Sequence, residues 1–556
     1  MRLLLIILSI SLLSLQASSQ SINARSSAPI SVDRGTAYMN LLHTEGGDLY
    51  TLKFLNNLKK TSITYSLCKY NANMTQVYET SLNKLVGDRF FEGVHSVKGR
   101  IYLFTADFQD RKKKFALFGI ELDKATGNAI GTEKTIQVYD RHSNWDAYML
   151  RILPDADSSR FIITGVNDNK DDYNYYVTVA DLDLNTQASI QANPHIPQTQ
   201  YYRLLEVLVE NNNNVILTGQ HFDIVSNAKG SSWKPKGYHI FRFDAKGKKI
   251  NDYILKLENR FPSECKLFKL QQDLVLAGTY YEDQTKPEIK GSFLAKLDPT
   301  TLTPSTISTG AFTTDQLFNR DLDASFPGIG VFYFSNMVYD HSTQKFYFFA
   351  ENYNVGMTAD TYFYQIVTYG GEGGVNRKTD SWKNADTYTY HCGDILVVEA
   401  SAGDMKVSRQ FLISKRQLEK FAENIETGYP GIRDATSKNP PNDHLLPQTV
   451  APLYSSYGLH WGKDKIYLVF NDQPRKKEAA QDKDFVVAFK NSPLTAAVID
   501  LKSGNVSNLK LKDNEGAQVF MPRFILSGAN GFYVPSIQIS TKVDCIFKLT
   551  QIASMQ

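Results

Sequence analysis

The fold is decided by GRIYLFTADFQDRKKKFALFGIELDKATGN, which runs from Gly99 to Asn128. Two apolar segments flank a charged loop, and the second ends in a turn rich in Asp, Thr, Gly and Asn. Segments of this length with alternating polar residues are typical of strands that bury at least one face, and the turn residues accept left-handed backbone or bond their own main chain. The stretch therefore predicts a β-hairpin followed by a tight turn.

The same arrangement returns along the whole chain. Eight segments match the first strand of the hairpin, and each is followed by a strand with a polar turn. The matching segments are DLYTLKF (48), RIYLFTA (100), RFIITGV (160), NVILTGQ (214), DLVLAGT (273), KFYFFAE (345), KIYLVFN (465) and GFYVPSI (531). An earlier apolar strand precedes most of them, as AYMNLLH (37) does in the first unit. Eight antiparallel units of three or four strands are therefore predicted, with insertions where the spacing is long.

Repeats of this kind resemble the blades of a β-propeller, here of a secreted bacterial type without the blade signature of a named family. The resemblance implies an all-β fold of four-stranded antiparallel blades that stack around an axis because one blade cannot bury both faces. Eight blades are predicted, with seven as the alternative. The last unit has no fourth strand of its own, and the segment Ala28 to Gly35 is predicted to supply it and close the ring.

The N-terminal stretch MRLLLIILSISLLSLQASSQ has one basic residue, an apolar run from Leu3 to Leu15, and small residues after it. This pattern predicts a signal peptide over residues 1–19, and hence an exported protein in the periplasm or outside the cell. An uncleaved membrane anchor is the alternative, but the run is shorter than the roughly 20 apolar residues that span a bilayer. One propeller domain is predicted over residues 28–556, with insertions at 352–393 and 415–454.

Charge and cysteine content narrow the class of protein. The chain of 556 residues has 61 basic and 58 acidic side chains and a net charge of +3, which gives no strong field for nucleic acid or a membrane surface. No two of its four cysteines have the spacing of a zinc site. We expect buried, unpaired thiols, although four cysteines also allow three disulfide pairings.

The two insertions carry different patterns. The first contains TYGGEGGVNRK, whose glycines do not lead into a helix with a phosphate-binding lysine, so a hairpin tip or lid is predicted. The second opens with RQLEKFAENIETG, where Leu418, Phe421, Ala422 and Ile425 recur at helical spacing. This spacing predicts a short amphipathic helix near 416–427 that ends at Gly428. An extended loop is expected over Asn439 to Pro452.

In a propeller, the loops between the second and third strands all emerge on one face. In this chain they combine aromatic side chains with carboxylates, which suits a glycan, a peptide or a protein partner. The predicted binding residues are Phe108, Asp168, Tyr173, Phe222, Asp223, Trp233, Tyr280 and Tyr281. Solvated hairpin tips with no binding role are the alternative interpretation.

No cofactor is predicted, but two groups of residues raise the hypothesis of a metal. Asp168, Asp171 and Asp172 lie close enough in sequence to share Ca2+, although the loop lacks the EF-hand glycine and glutamate. His43, His95 and His460 occupy equivalent positions near the end of the first strand in three units. They would ligate a transition metal only if the ring brought them together, and separate histidines at turns are the ordinary alternative.

Three functions follow from these patterns. The first is an exported, non-catalytic propeller that binds a partner through its loop face. The second is a hydrolase or lyase acting on an extracellular polymer with carboxylates as acid and base; the sequence contains no GxSxG or HExxH motif, and no catalytic residue can be assigned. The third is a structural component of an envelope assembly.

Overall fold

The computed structural model describes residues 23–32, 36–57, 62–109, 114–140, 148–155, 157–167, 174–227, 230–270, 273–283, 289–312, 332–368, 377–415, 417–422, 454–472, 489, 492–512, 518–528, 531–538 and 545–553. These residues form eight antiparallel sheets that are arranged as the blades of a propeller. The predicted all-β fold and the predicted number of blades are both confirmed.

Blades 1 to 5 each consist of four strands paired in sequence order. Blade 1 contains β3 (Thr36–Glu45), β4 (Asp48–Asn57), β5 (Ser62–Tyr70) and β6 (Gln76–Ser81). Blade 2 contains β7 (Phe90–Val97), β8 (Arg100–Gln109), β9 (Lys114–Leu122) and β10 (Ala129–Asp140). Blade 3 contains β11 (Tyr148–Pro154), β12 (Arg160–Asn167), β13 (Tyr175–Asp181) and β14 (Thr186–Ala192). Blade 4 contains β15 (Gln200–Val209), β16 (Val215–Asn227), β17 (Gly230–Phe243) and β18 (Lys249–Ile254). Blade 5 contains β19 (Phe261–Leu270), β20 (Asp273–Tyr281), β21 (Ile289–Leu297) and β22 (Pro304–Ala311).

Blades 6 to 8 depart from this plan. Blade 6 contains β23 (Phe332–Asp340), β24 (Lys345–Thr368), β25 (Arg377–Ser401), β26 (Val407–Ile413) and a fifth strand, β27 (Gln417–Ala422). Blade 7 contains β28 (Gly458–Trp461), β29 (Lys465–Asn471), β30 (Leu494–Asp500) and β31 (Val506–Lys512). Blade 8 contains β32 (Gln518–Phe520), β33 (Leu526–Gly528), β34 (Gly531–Gln538) and β35 (Cys545–Ala553).

The N-terminal segment closes the ring by completing blade 8. Strands β1 (Ala24–Ser26) and β2 (Ile30–Val32) both pair antiparallel with β35, in a register that places Ala24 opposite Ile552. Between them the Ser27 hydroxyl accepts a hydrogen bond from the Leu549 amide at 3.1 Å. The predicted closure is confirmed, and the pairing begins at Ala24, before the predicted segment. Without it the outer edge of β35 would be open to pairing with another chain.

Hydrophobic cores lie between neighbouring blades. Phe104 of blade 2 and Phe161 of blade 3, both fully buried, meet edge to face with ring centroids 5.1 Å apart. Phe349 of blade 6 and Leu468 of blade 7 share another core. Each buried side chain of this size contributes roughly 1.5–3 kcal/mol relative to exposure to water. Because these contacts join different blades, the ring stabilises sheets that would not be stable alone.

In the polar turns between the third and fourth strands of blades 2 to 5, an aspartate carboxylate accepts a hydrogen bond from a main-chain amide of the same turn. In blade 2, Asp123 accepts a hydrogen bond from the Ala125 amide at 2.9 Å, and Asp244 and Asp298 do the same for Lys246 and Thr300 in blades 4 and 5. The interpretation of these carboxylates as turn residues is confirmed. In blade 3 the corresponding carboxylate is Asp181, which accepts a hydrogen bond from the Asn185 amide at 2.8 Å.

The prediction of a helix near 416–427 is wrong for the residues of this segment that the structure describes. Gln417–Ala422 forms β27, which pairs antiparallel with β25 from Thr387↔Ala422 to Cys392↔Gln417. The physical reason is that β25 extends past the end of its blade and offers a free edge, whose backbone hydrogen bonds outweigh the weak helical preference of a short segment. Residues 423–453, which include the predicted loop Asn439 to Pro452, lie outside the described residues.

Helical structure is sparse in the described part of the chain. It comprises the one-turn helix α1 (Asn83–Val86), the helical residue Phe489 and a 3-10 turn at Pro522–Phe524. No helix there has the length and apolar character that a membrane crossing requires. The predicted signal peptide, residues 1–19, lies outside the described residues and stays a prediction.

Candidate binding face

We use the name hairpin face for the side of the ring that carries the turns between the second and third strands of the blades. Among the described residues, its longest feature is a two-stranded ribbon made by β24 and β25, which continue their pairing from Tyr353↔Cys392 out to Thr368↔Arg377. At about 3.3 Å per residue, the stretch from Tyr353 to Thr368 extends about 50 Å along the strand. The glycine-rich stretch that is predicted to form a hairpin tip or lid, residues 369–376, lies outside the described residues and stays a prediction.

A buried ion pair lies at the base of the ribbon. The Lys415 ammonium group, which follows β26, forms an ion pair with the Glu351 carboxylate of β24, and Lys415 is only 5% exposed. Lys415 also donates to the Gln417 side-chain oxygen at 3.0 Å, and the Ser456 hydroxyl donates to Glu351 at 2.6 Å. Since each charged group has further polar partners, the desolvation of the pair is compensated.

The same region joins the two ends of the second insertion. The carboxylate of Glu419, on β27, accepts hydrogen bonds from the amides of Tyr454 and Ser455 at 2.9 and 2.7 Å. Gln417 donates to the carbonyl of Asn471 at 2.7 Å and accepts from the Ser456 amide at 2.7 Å. The chain thus leaves blade 6 and enters blade 7 through one buried polar network. The ribbon and the second insertion are therefore attached to the same buried polar network.

Blade 4 brings two predicted binding residues together at the same face. Phe222 and Asp223 lie on β16 opposite Tyr201 and Gln200 of β15. The Gln200 amide donates to Asp223 at 3.0 Å, and the Lys236 ammonium lies 3.5 Å from the same oxygen. The Asp223 side chain remains 42% exposed. The rings of Phe222 and Tyr201 lie 6.1 Å apart, so this edge combines an aromatic pair with an accessible carboxylate.

The two predicted tyrosines of blade 5 are buried. Tyr280 is 1% exposed and packs in the core between blades 4 and 5, with the Arg260 guanidinium 5.1 Å from its ring centre. Tyr281 is 8% exposed and stacks on Phe261 with centroids 5.7 Å apart. As placed, neither ring presents its face to a ligand, and the predicted binding role of both stays a prediction.

Other predicted residues fall where the structure gives no side-chain description. Phe108 lies on β8 and Trp233 on β17, opposite Phe115 and Ile224 in register. Asp168 and Tyr173, and with them the hypothetical Ca2+ ligands Asp171 and Asp172, lie outside the described residues. The Ca2+ hypothesis is therefore untested.

The three histidines occupy the same position in their blades, but they do not form one site. His43, His95 and His460 each lie opposite a tyrosine of the next strand, namely Tyr50, Tyr102 and Tyr467. His95 packs against Phe161 of blade 3, and His460 packs against Phe532 of blade 8 with centroids 4.8 Å apart. Within the described ranges, no three metal-ligating side chains group together. The structure does not bring the three side chains together: His95 and His460 pack against aromatic rings of the neighbouring blades, and His43 stacks on Tyr50 of its own blade.

A second histidine pair lies inside blade 4, behind the aromatic edge. His221 and His239 stack with Nδ1 atoms 3.0 Å apart, and His239 Nε2 lies 2.7 Å from the Asp252 carboxylate. With Asp252 accepting from His239 Nε2–H, neutral His239 accepts at Nδ1 and His221 donates. Burial, followed by the proximity of His239, lowers the pKa of His221 to about 4. Both rings are thus held neutral at pH 7.

Three of the four cysteines are free and buried: Cys68, Cys265 and Cys392. The expectation of unpaired thiols is confirmed for these three. Burial raises the pKa of Cys68 to about 12 and raises the pKa values of the other two, so none is a reactive nucleophile at neutral pH.

Sequence reasoning missed the residues at the base of the ribbon. Gln417 and Glu419 are 0% and 2% exposed, and they lie in the segment whose spacing predicts an amphipathic helix. The available signal was their period of two, which places both on one side of a strand. Glu351 and Lys415 carried no local signal because they are 64 residues apart in the chain.

Comparison with known proteins assigns no family to this chain. No family model matches the chain, and no curated protein matches it. The chain is similar to the β-propeller domain of the Trilobed protease from Pyrococcus furiosus, with 11% identity and a TM-score of 0.29 over 72% of this chain and 99% of that chain. It is similar to the polysaccharide lyase Uly1, with 8% identity and a TM-score of 0.39 over 94% and 91%.

A third similar structure is prolyl oligopeptidase B from Galerina marginata, with 10% identity and a TM-score of 0.35 over 95% of this chain and 57% of that chain. At these identities and TM-scores, none of the three similarities bears on what this chain binds or whether it is an enzyme.

Proposed function

We propose that this protein is an exported, non-catalytic propeller that binds a glycan, peptide or protein partner through its hairpin face. The observation that supports the proposal best is the ribbon, because β24 and β25 are 24 and 25 residues long where β23 of the same blade has nine. Among the described strands of the other blades, none is longer than 14 residues. A surface for a partner accounts for the length of the ribbon.

Composition and anchoring also favour binding. The ribbon contains TYFYQIVT and DSWKNADTYTY, and tyrosine and tryptophan are enriched where proteins contact their partners. The base of the ribbon is held by the pairing of β25 with β27 and by the Glu351–Lys415 ion pair. A rigid base lowers the entropy lost on binding.

The test removes the outer ribbon and leaves its base. Residues 361–384 are replaced by Asn-Gly between Asp360 and Ala385, which already face each other in the ladder. All pairs between β25 and β27 remain. Wild type and variant are then tested on a glycan array and a peptide-display library, followed by titration of each hit. We expect saturable binding by the wild type and at least a tenfold loss in the variant, with unchanged circular dichroism.

The matched control is Trp461→Ala, which removes a 44% exposed aromatic side chain near the β28–β29 turn on the opposite face. It should leave binding unchanged. Equal binding by the wild type and the ribbon variant, or no saturable ligand on either platform, contradicts the proposal.

The alternative is a hydrolase or lyase that acts on an extracellular polymer, and the accessible Asp223 beside Tyr201 and Phe222 is the feature that keeps it open. It predicts turnover of a polysaccharide panel that is lost on Asp223→Ala or Asp168→Ala. A structural component of an envelope assembly would bind no small molecule at all. If the protein binds a ligand but does not turn over any polysaccharide, the main proposal is favoured over both the enzyme and the structural component.

A further inference from the structure

A cavity of about 140 Å³ lies on the inner side of the ring, away from the hairpin face. Its walls come from the inner strands β11 and β15 and from β12, and Lys269 of β19 adds a charged side chain from blade 5. The volume is similar to that of an engineered cavity of about 150 Å³ that binds benzene. The space therefore suits a ligand of about six heavy atoms.

The acidic side chains of the cavity already have cationic partners. Asp155 lies 2.8 Å from Arg160 Nε, and Arg160 is further held by the Asn213 side chain and by carbonyl groups after β15. Glu206 lies 3.6 Å from the Lys266 ammonium. These two pairs leave no net negative charge at the walls.

Two cations of the cavity have no such partner. Arg151 and Lys269 are half-buried, and neither forms a hydrogen bond or ion pair with any residue that the structure describes. With Asp155 and Glu206 paired to Arg160 and Lys266, Arg151 and Lys269 are the charged groups of the lining that remain without a partner among the described residues. A half-buried cation beside apolar walls loses part of its hydration, so an anion in the cavity gains more from it than it would at the open surface.

The remaining walls are apolar. They are formed mainly by Leu153, Ile162, Leu204, Val207 and Leu208, with the Thr164 hydroxyl as an additional polar group. Such walls suit a short hydrocarbon body, and the planar guanidinium of Arg151 suits a carboxylate. We propose that this cavity binds a small organic anion, namely a carboxylate with a short apolar body, between Arg151 and Lys269. The site is independent of the partner proposed for the hairpin face.

The first experiment titrates the full mature chain with sodium isovalerate by calorimetry at fixed low ionic strength. Isovaleramide serves as the neutral isostere and sodium sulfate as an inorganic anion. We expect saturable 1:1 binding of isovalerate and at least tenfold weaker binding of both comparison compounds. Equal affinity for the amide, equal affinity for sulfate, or no saturable binding of isovalerate overturns the proposal.

Variants locate the site. Arg151→Gln and Lys269→Gln should each weaken isovalerate binding about tenfold or more, while Glu206→Gln should strengthen it because a negative charge is removed. Lys246→Gln is the matched control, since it removes the same charge from an exposed turn of blade 4. Loss of binding in this control, or retained affinity in both cavity variants, overturns the assignment.

A direct readout does not depend on how the variants fold. The wild-type chain crystallised with 4-bromobutyrate should show anomalous density between Arg151 and Lys269. Density at another site, with none in the cavity, overturns the proposal.

Discussion

Lys415 and Glu351 form an ion pair in the interior of the protein, with only 1% and 10% of their side chains exposed. Glu351 lies where β24 leaves blade 6, and Lys415 lies where the chain departs for the second insertion. The pair therefore couples the base of the ribbon to the connection between two blades. Its contribution can be measured because each charge has a defined set of partners.

Lys415→Met should destabilise the protein by about 3–5 kcal/mol, because the Glu351 carboxylate would remain buried without its cation. Urea unfolding followed by tryptophan fluorescence measures the change. The control is Lys502→Met, which removes a 73% exposed ammonium group that lies 2.9 Å from Asp464. Its unfolding midpoint should equal that of the wild type. A Lys415→Met midpoint as high as that of the control would show that the buried pair is not important for stability.

Removal of residues 1–32 should open the ring. The deletion takes away β1 and β2, whose backbone hydrogen bonds to β35 contribute about 1 kcal/mol each. The exposed edge should also promote association of chains. We expect a lower melting temperature and a larger mass in light scattering. A chain that begins at residue 23 retains both strands and should keep the ring closed; identical behaviour of the two truncations would contradict the closure.

Acid should weaken the fold between pH 6.5 and about 4. Burial lowers the pKa of His95 to about 4, whereas the unfolded chain takes up the proton near 6.5. The stabilisation from the neutral ring is complete above pH 6.5 and is lost as the pH falls toward 4. For one histidine the loss is on the order of 1–3 kcal/mol. His221 and His460, whose pKa values burial also lowers to about 4, act in the same direction.

His95→Leu should flatten this dependence, as measured by urea midpoints at several pH values from 7.5 to 4.5. The lower limit avoids protonation of the turn carboxylates, because backbone hydrogen bonds lower the pKa values of Asp244 and Asp298. The exposed His341 offers the control, and His341→Leu should retain the slope of the wild type. An unchanged slope in His95→Leu would argue against a neutral buried ring.

Gly219 should not tolerate a side chain. A Cβ atom there would clash with the Arg203 carbonyl oxygen and would lie 2.6 Å from the Tyr202 ring, next to the bulge between Leu204 and Glu206. Gly219→Ala should therefore cost about 1–3 kcal/mol through overpacking. At Gly403 the nearest atom would be 3.9 Å away, so Gly403→Ala should change stability by less than about 0.5 kcal/mol. Thermal unfolding of the two variants provides the comparison.

At most one thiol per native chain should react with Ellman's reagent. Cys68, Cys265 and Cys392 are free and no more than 7% exposed, and burial raises their pKa values. In urea all four cysteines should react, because denaturation removes the barrier of burial. Two or more fast-reacting thiols in the native protein would contradict the placement of these side chains.

Much of the architecture could be predicted from local patterns. The alternation of apolar residues and the turn carboxylates such as Asp123 and Asp244 act over a few residues, so they locate strands and turns without knowledge of the fold. The open last unit also predicted that the N-terminal segment would pair there. The candidate site was harder to predict from the sequence. Tyr280 and Phe222 both come shortly before a loop, yet Tyr280 is buried and Phe222 belongs to the aromatic edge with Tyr201. Their tertiary neighbours decide this difference.

The sequence by itself determined the repeated strands, their turns and the closing of the ring, since these depend on short-range periodicity and on the number of strands. Only the tertiary structure decided that Gln417–Ala422 is a strand, that His95 and His460 pack in separate cores, and that Arg151 and Lys269 face one cavity. Those outcomes depend on which edge, ring or charge a distant part of the chain brings near. Local propensity carries no information about such neighbours.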